Sequence, residues 1–140
     1  MRYLIIILSF ILVSCNSTKS VKNEPLLYLQ KTACFGACPI YKATIYSDGK
    51  IMYNGEKFTP YIGETETQLS KKELNDLIQD FEDIQFEQYS SHYVNNKISD
   101  IPSTIIQYRG KQVTIRGFKV PPKLTALINK TQKTIEQTLP

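Results

Sequence analysis

Tryptophan is absent from this chain of 140 residues, histidine occurs once, as His92, and cysteine three times, as Cys15, Cys34 and Cys38. Each scarcity narrows what the chain can do. Two neighbouring thiols and one imidazole leave structural zinc without a fourth ligand of the usual kind. No G-x-S-x-G elbow is present, so the usual signature of a serine nucleophile is missing. Neither a Gly-rich phosphate loop nor the βαβα alternation of a nucleotide-binding fold occurs. No apolar run approaches the roughly twenty residues of a membrane-spanning helix. Basic residues are scattered, with Lys71 and Lys72 the densest pair. Nucleic acid would need a concentrated patch, so it is not an expected partner.

What is present begins with an address. Arg2 is followed by an apolar run from Leu4 to Val13, the size of a signal-peptide core. The run ends in Leu12-Val13-Ser14-Cys15, which resembles the lipobox of bacterial lipoproteins. That resemblance implies transfer of diacylglycerol to the Cys15 thiol and cleavage before it. The alternative is an ordinary signal peptide with a chance cysteine at its cleavage site. Each buried methylene of an acyl chain stabilises membrane association by about 0.8 kcal/mol. Palmitate-type chains on Cys15 would therefore hold so small a protein to a bilayer. Loss of residues 1–14 removes Arg2 and lowers the formal charge from +4 to +3, too little to mark a strongly anionic partner.

Asn16 to Glu24 is polar and without apolar periodicity, the composition of a tether. By resemblance to bacterial lipoprotein sorting, Asn16 in place of an aspartate directs the protein to the outer membrane, and the missing acidic run argues for a domain facing the periplasm. The expected organisation is thus a signal peptide over 1–14, a lipidated Cys15 and tether over 15–25, and a single domain over 26–140.

Within that domain the periodicities alternate. Leu27 and Leu29 open a strand that runs toward Cys34. Tyr41, Ala43 and Ile45 share one face of a second, with Lys42, Thr44 and Tyr46 on the other. Ser47-Asp48-Gly49-Lys50 is a hairpin turn, and Ile51 to Tyr53 return until Gly55 ends or bulges the strand. Tyr61 to Thr67 reads as a further strand whose Glu64 and Glu66 face solvent. Ser70 and Glu73 have capping-box spacing, with Leu69 and Leu74 placed as a staple. Leu74, Leu77, Ile78 and Phe81 then form one helical stripe ending near Asp83. Ser90 to Ser99 is polar and reads as a loop. A second hairpin runs from Thr104 to Tyr108 and Gln112 to Phe118 around Arg109-Gly110-Lys111. Pro121-Pro122 opens a closing helix with Leu124, Leu127, Ile128 and Ile135 on one stripe. This order predicts an α+β fold, an antiparallel sheet of five to six strands with two amphipathic helices on one face.

The one compact chemical motif is Cys34-Phe35-Gly36-Ala37-Cys38-Pro39-Ile40-Tyr41. The leading expectation for its cysteines is a structural disulfide, since export permits one and Cys15 is consumed by acylation. Residues four apart in a strand lie about 13 Å apart, and a bridge needs Cα atoms within roughly 7 Å, so the chain must turn at Phe35-Gly36-Ala37. Three other readings stay open. A thiol–disulfide exchanger would space its thiols as C-x-x-C at a helix start. A copper site of Cys34, Cys38 and His92 is similar to the Cys-x3-Cys-Pro motif of Sco-type assembly proteins and suits soft thiolates. Nucleophilic catalysis with His92 lacks a supporting motif.

The C-F-G-x-C-P-x-Y core, followed by Asp48-Gly49, Tyr53-x-Gly55, the amphipathic helix and Asp100-x-Pro102, resembles a family of bacterial lipoprotein domains of unknown function. The resemblance implies one α+β domain behind a lipidated cysteine and carries no catalytic residue or cofactor. Tyr41 and Asp100 match its pattern and are the candidates for a functional surface. The functional expectation is a non-catalytic binding or structural module, joined to the bilayer through Cys15 and serving an envelope protein partner. Redox or copper handling at Cys34, Cys38 and His92 is the alternative. An inhibitor-like role for a tyrosine-rich sheet face (Tyr46, Tyr53, Tyr61) is the third reading.

Overall fold

The computed structural model describes residues 24–98, 100–117 and 119–140. The signal-peptide and lipobox assignments, Cys15 included, lie outside the described residues. The elements run β1 (Pro25–Lys31), β2 (Ile40–Tyr46), β3 (Lys50–Lys57), β4 (Gly63–Gln68), α1 (Lys71–Asp83), a short 3-10 turn (Phe86–Gln88), β5 (His92–Val94), β6 (Thr104–Tyr108), β7 (Lys111–Arg116) and α2 (Pro122–Thr138). The fold is α+β. Its seven strands form one sheet in the order β4-β3-β2-β1-β6-β7-β5.

Two expectations are corrected here. The sheet has seven strands rather than five or six, and it is not wholly antiparallel. The segment read as a polar loop contains β5, which pairs in parallel with β7 through His92–Thr114, Tyr93–Ile115 and Val94–Arg116. Three residues are too few to show period-two alternation, so β5 exists through its partner and not through a pattern of its own.

The alternation elsewhere holds residue by residue. Leu27, Leu29, Tyr41, Ala43, Ile45, Ile51, Tyr53, Ile106, Tyr108 and Val113 point inward and are buried together with the helix residues in one cluster. Leu74, Leu77 and Phe81 of α1 and Leu124, Leu127, Ile128 and Ile135 of α2 complete that cluster, so both helices cover the same face. Phe81 stacks on Tyr108 with ring centroids 4.5 Å apart. Lys130 and Asp80 join the two helices at 2.5 Å. Each buried side chain of this size contributes about 1.5–3 kcal/mol relative to exposure.

Local chemistry sets the element ends. Ser70 and Glu73 form a complete capping box: the Glu73 N–H donates to Ser70 Oγ at 3.2 Å, and the Ser70 N–H donates to Glu73 Oε2 at 2.8 Å. These bonds hold the Glu73 carboxyl below the usual range. Gly49, at φ +85°, closes the β2–β3 hairpin, where its N–H donates to the Tyr46 carbonyl at 2.9 Å. Arg109 and Gly110 both have positive φ, as a two-residue turn of the primed type requires.

Gly55 carries a different demand. Ile40 pairs with Lys57 but Tyr41 with Gly55, so Glu56 is an inserted residue and β3 is bulged there. A Cβ on Gly55 would run into the Tyr61 carbonyl oxygen, a backbone atom that cannot swing aside. Gly36 differs. It needs no positive φ, and an added Cβ would meet only Cys34 Sγ at 3.9 Å. Glycine is therefore not what lets the Cys34 loop turn. Gly55→Ala is expected to lower stability by about 1–3 kcal/mol through overpacking, while Gly36→Ala is expected to be neutral or raise it by up to about 1 kcal/mol. Denaturant unfolding of the two variants compares them directly.

Candidate functional site: the Cys34 loop and the end of the sheet it closes

β1 ends at Lys31 and β2 begins at Ile40, and the chain between them folds back on itself through a Cys34–Cys38 disulfide with Cα atoms 5.8 Å apart. That is less than half the extended span of five residues, so the bond holds a sharp reversal. The loop is also tied sideways to the segment before β6. The Phe35 N–H donates to the Asp100 carbonyl at 3.2 Å and the Thr32 N–H to the Ser103 carbonyl at 3.0 Å. The Ser103 N–H donates in turn to Thr32 Oγ1 at 2.8 Å. With its base fixed on both sides, the loop presents Phe35 at its crest, a residue 94% exposed.

The sequence-identified residues part company here. Tyr41 is a core residue, 2% exposed, and not a surface group. Asp100 is exposed, and its backbone carbonyl receives the Phe35 N–H. His92 stands on β5 at one edge of the sheet, separated from β1 by three strand spacings of about 4.8 Å each. It is exposed and is not gathered with the bonded sulfurs. Among the described residues no three of His, Cys, Asp and Glu come together as a metal-binding group. The tyrosine face also divides: Tyr53 is buried inside, while Tyr46 lies half-buried on the opposite face.

Beneath the loop lies a grouping that the sequence reading missed. Tyr41 and Tyr53 stack at 5.4 Å, and both hydroxyls are buried without a well-formed hydrogen bond. Lys31 continues the inward parity of Leu27 and Leu29 and is half-buried beside Tyr41, its cross-strand partner. Glu136 reaches the same region from α2. Burial drives the Tyr41 phenol far above its ordinary range, and the negative charge of Glu136 adds to the shift. Burial likewise raises Tyr53, although the nearby Thr59 hydroxyl offsets part of the rise. For Lys31 burial favours the neutral amine, while Glu136 acts in the opposite direction. The parity of Leu27, Leu29 and Lys31 is the signal that could have placed the lysine inside.

Chemically this end offers a closed disulfide, neutral phenols and an exposed aromatic ring. That set supports contact and rigidity. On the far half of the open sheet face a shallow depression of about 340 Å³ lies between Leu26, Tyr28, Thr44, Tyr46 and Gln107.

Two measurements follow. Closing a ring of five residues stabilises by about 2 kcal/mol on loop-entropy grounds, so a Cys34→Ser, Cys38→Ser double variant should unfold about 2 kcal/mol sooner in denaturant yet keep its far-ultraviolet spectrum. The tyrosines set an alkaline limit. Tyr41, Tyr53 and Tyr108 all have pKa values raised by burial. Their contribution to stability is complete below the unfolded value of about 10 and is lost as pH rises toward the folded values. Phenolate absorbance should therefore show these three tyrosines ionising together with unfolding, at the pH where the far-ultraviolet signal is lost.

Comparison with curated proteins finds no match to the chain. Residues 25–135 match the domain of unknown function DUF6438, a span that takes in β1, the Cys34 loop, the whole sheet and most of α2. The chain belongs to the DUF6438 family.

Proposed function

We propose that this protein is an exported, lipid-anchored envelope lipoprotein whose α+β domain is a non-catalytic binding or structural module, with the Cys34 loop as its contact end. The observation that carries the reading is Phe35. A large aromatic ring is held almost wholly in water at the crest of a loop braced by a disulfide and by hydrogen bonds to Asp100 and Ser103. Displaying such a ring has a hydration cost and brings no folding gain, so its return lies in something it touches. The anchor reading rests on Leu12-Val13-Ser14-Cys15 behind an apolar run, and the outer membrane facing the periplasm is the proposed location.

Radiolabelled palmitate should enter the wild-type protein and not Cys15→Ser, and only the wild type should sediment with outer membranes. Label persisting in the serine variant, or a wild type washed off by salt, would remove the anchor from the account. For the contact end, a photo-cross-linking side chain at position 35 should yield a discrete adduct in intact cells, and the same group at position 52 should not.

A further inference from the structure

The helices cover one face of the sheet, and the middle of the other face carries side chains that neither the core nor the Cys34 end uses. β1 is the central strand. Its Tyr28 pairs with Thr44 of β2 on one side and with Gln107 of β6 on the other. A hydroxyl, a phenol ring and a carboxamide therefore stand in one row, about 4.8 Å from strand to strand. Tyr46 lies two residues beyond Thr44 on the same face, opposite Pro25. All four side chains are half-buried. The Tyr28 hydroxyl donates to Gln30 Oε1 at 2.9 Å, a bond within one strand face that holds the ring in place.

With Pro25 and Leu26, these four residues line the depression of about 340 Å³ on the open sheet face. A second depression, of about 670 Å³, shares Pro25, Leu26 and Gln107 with it. That one continues to Ser47 and Gly110 in the two hairpin turns, where Glu24 and Arg109 add one charge of each sign.

The lining selects the ligand by exclusion. Among the described residues no charged side chain lines the first depression, so it offers nothing to a phosphate, a carboxylate or an ammonium group. A hydrocarbon would leave the Thr44 hydroxyl and the Gln107 amide with neither water nor a partner, at the desolvation cost of each. A peptide strand adds to a sheet through an exposed edge, and β1 has both of its edges paired. What fits is a neutral ligand rich in hydroxyls that also has apolar faces. Carboxamide and hydroxyl groups both donate and accept, as the hydroxyls of a sugar do. The face of a phenol ring is its negative side, and a pyranose turns a row of C–H bonds toward it. Tyrosine's preference for strands accounts for rings on a sheet. It does not set a hydroxyl and an amide in register on either side of one.

We propose that this depression is a carbohydrate-binding site. Tyr28 and Tyr46 stack on pyranose units of a neutral glycan chain, and Thr44 and Gln107 hydrogen-bond its hydroxyls. The adjoining depression takes the next unit of the chain. The site lies at the end of β1 away from Cys34 and stands independently of the reading given to that end.

A site open on a sheet surface encloses little of its ligand, whereas tight sites enclose most of theirs. Weak binding is expected, and it is best read on the ligand. The full lipidated chain in phosphocholine micelles, which carry no sugar headgroup, is mixed with cellohexaose or chitohexaose. Saturation-transfer NMR should show magnetisation reaching the ring C–H protons of at least one of the two. Transfer should fall severalfold in Tyr28→Ala and in Gln107→Leu. It should persist in Tyr28→Phe, which keeps the ring, and in Met52→Ala, on the same face but outside the depression. None of these positions belongs to the buried core, and a wild-type far-ultraviolet spectrum checks that each variant folds. No transfer to either sugar would overturn the proposal, and so would transfer undiminished in both Tyr28→Ala and Gln107→Leu. Transfer confined to an anionic oligogalacturonate would overturn it too, since nothing in the depression answers that charge. If neither sugar received transfer and a photo-cross-linking side chain at position 28 gave a discrete protein adduct in cells, the depression would be a protein contact and glycan the wrong ligand.

Discussion

The sheet depends on β1. It lies between β2 and β6 and, among the described residues, is the only strand joining the β2–β3–β4 meander to the β6–β7–β5 half. Its pairing uses nearly its whole length on both sides, from Leu27 to Lys31 against β6 and from Pro25 to Lys31 against β2. Leu27 and Leu29 are consequently flanked by inward residues from both halves and are almost wholly buried. A one-residue slip here would carry those leucines to the open face and break the core in two. The loop that leaves β1 inherits this order. Its Thr32–Ser103 and Phe35–Asp100 bonds extend the β1–β6 partnership beyond the last ladder pair, so the Cys34 crest is mounted on the most constrained strand in the domain.

The two buried tyrosines show how the motif and the core are connected. Tyr41 closes the C-F-G-x-C-P-x-Y pattern, yet its ring faces inward against Tyr53. The motif therefore has an outer part that turns the chain and displays Phe35, and an inner part that roots the same segment in the hydrophobic layer. Gly55 completes the arrangement from the neighbouring strand. Its lack of a side chain lets the Tyr61 backbone close over the bulge, beside the ring that Tyr41 stacks on. A bond between two sulfurs, a stacked pair of rings and a backbone contact together hold one end of the sheet.

How much of this was readable beforehand depended on whether the signal was local. The capping box at Ser70 and Glu73, the stripes of α1 and α2 and the alternation through Tyr41, Ala43 and Ile45 are local, and the structure repeats them. The reversal at Cys34 and Cys38 is what the expected disulfide requires of two thiols four residues apart, and the bond is present. Strand β5 was not readable, because its three residues take their conformation from β7. Nor was the grouping of Lys31, Tyr41, Tyr53 and Glu136, which come from four different elements. The exposure of Phe35 was hidden for a related reason: hydrophobicity predicts burial, and only the bracing of the loop decides otherwise.

The outermost strand on the meander side has a further consequence. β4 reads Gly-Glu-Thr-Glu-Thr-Gln, with Glu64 and Glu66 in solvent. Were a second copy to add to this edge in antiparallel fashion about Thr65, each Glu64 would stand opposite a Glu66, and like charges at that separation repel. The opposite edge, β5, offers only three residues as a template. Copies crowded together in two dimensions would thus find both margins of the sheet poor at recruiting another, and the domain could be packed densely without its sheets growing into one another.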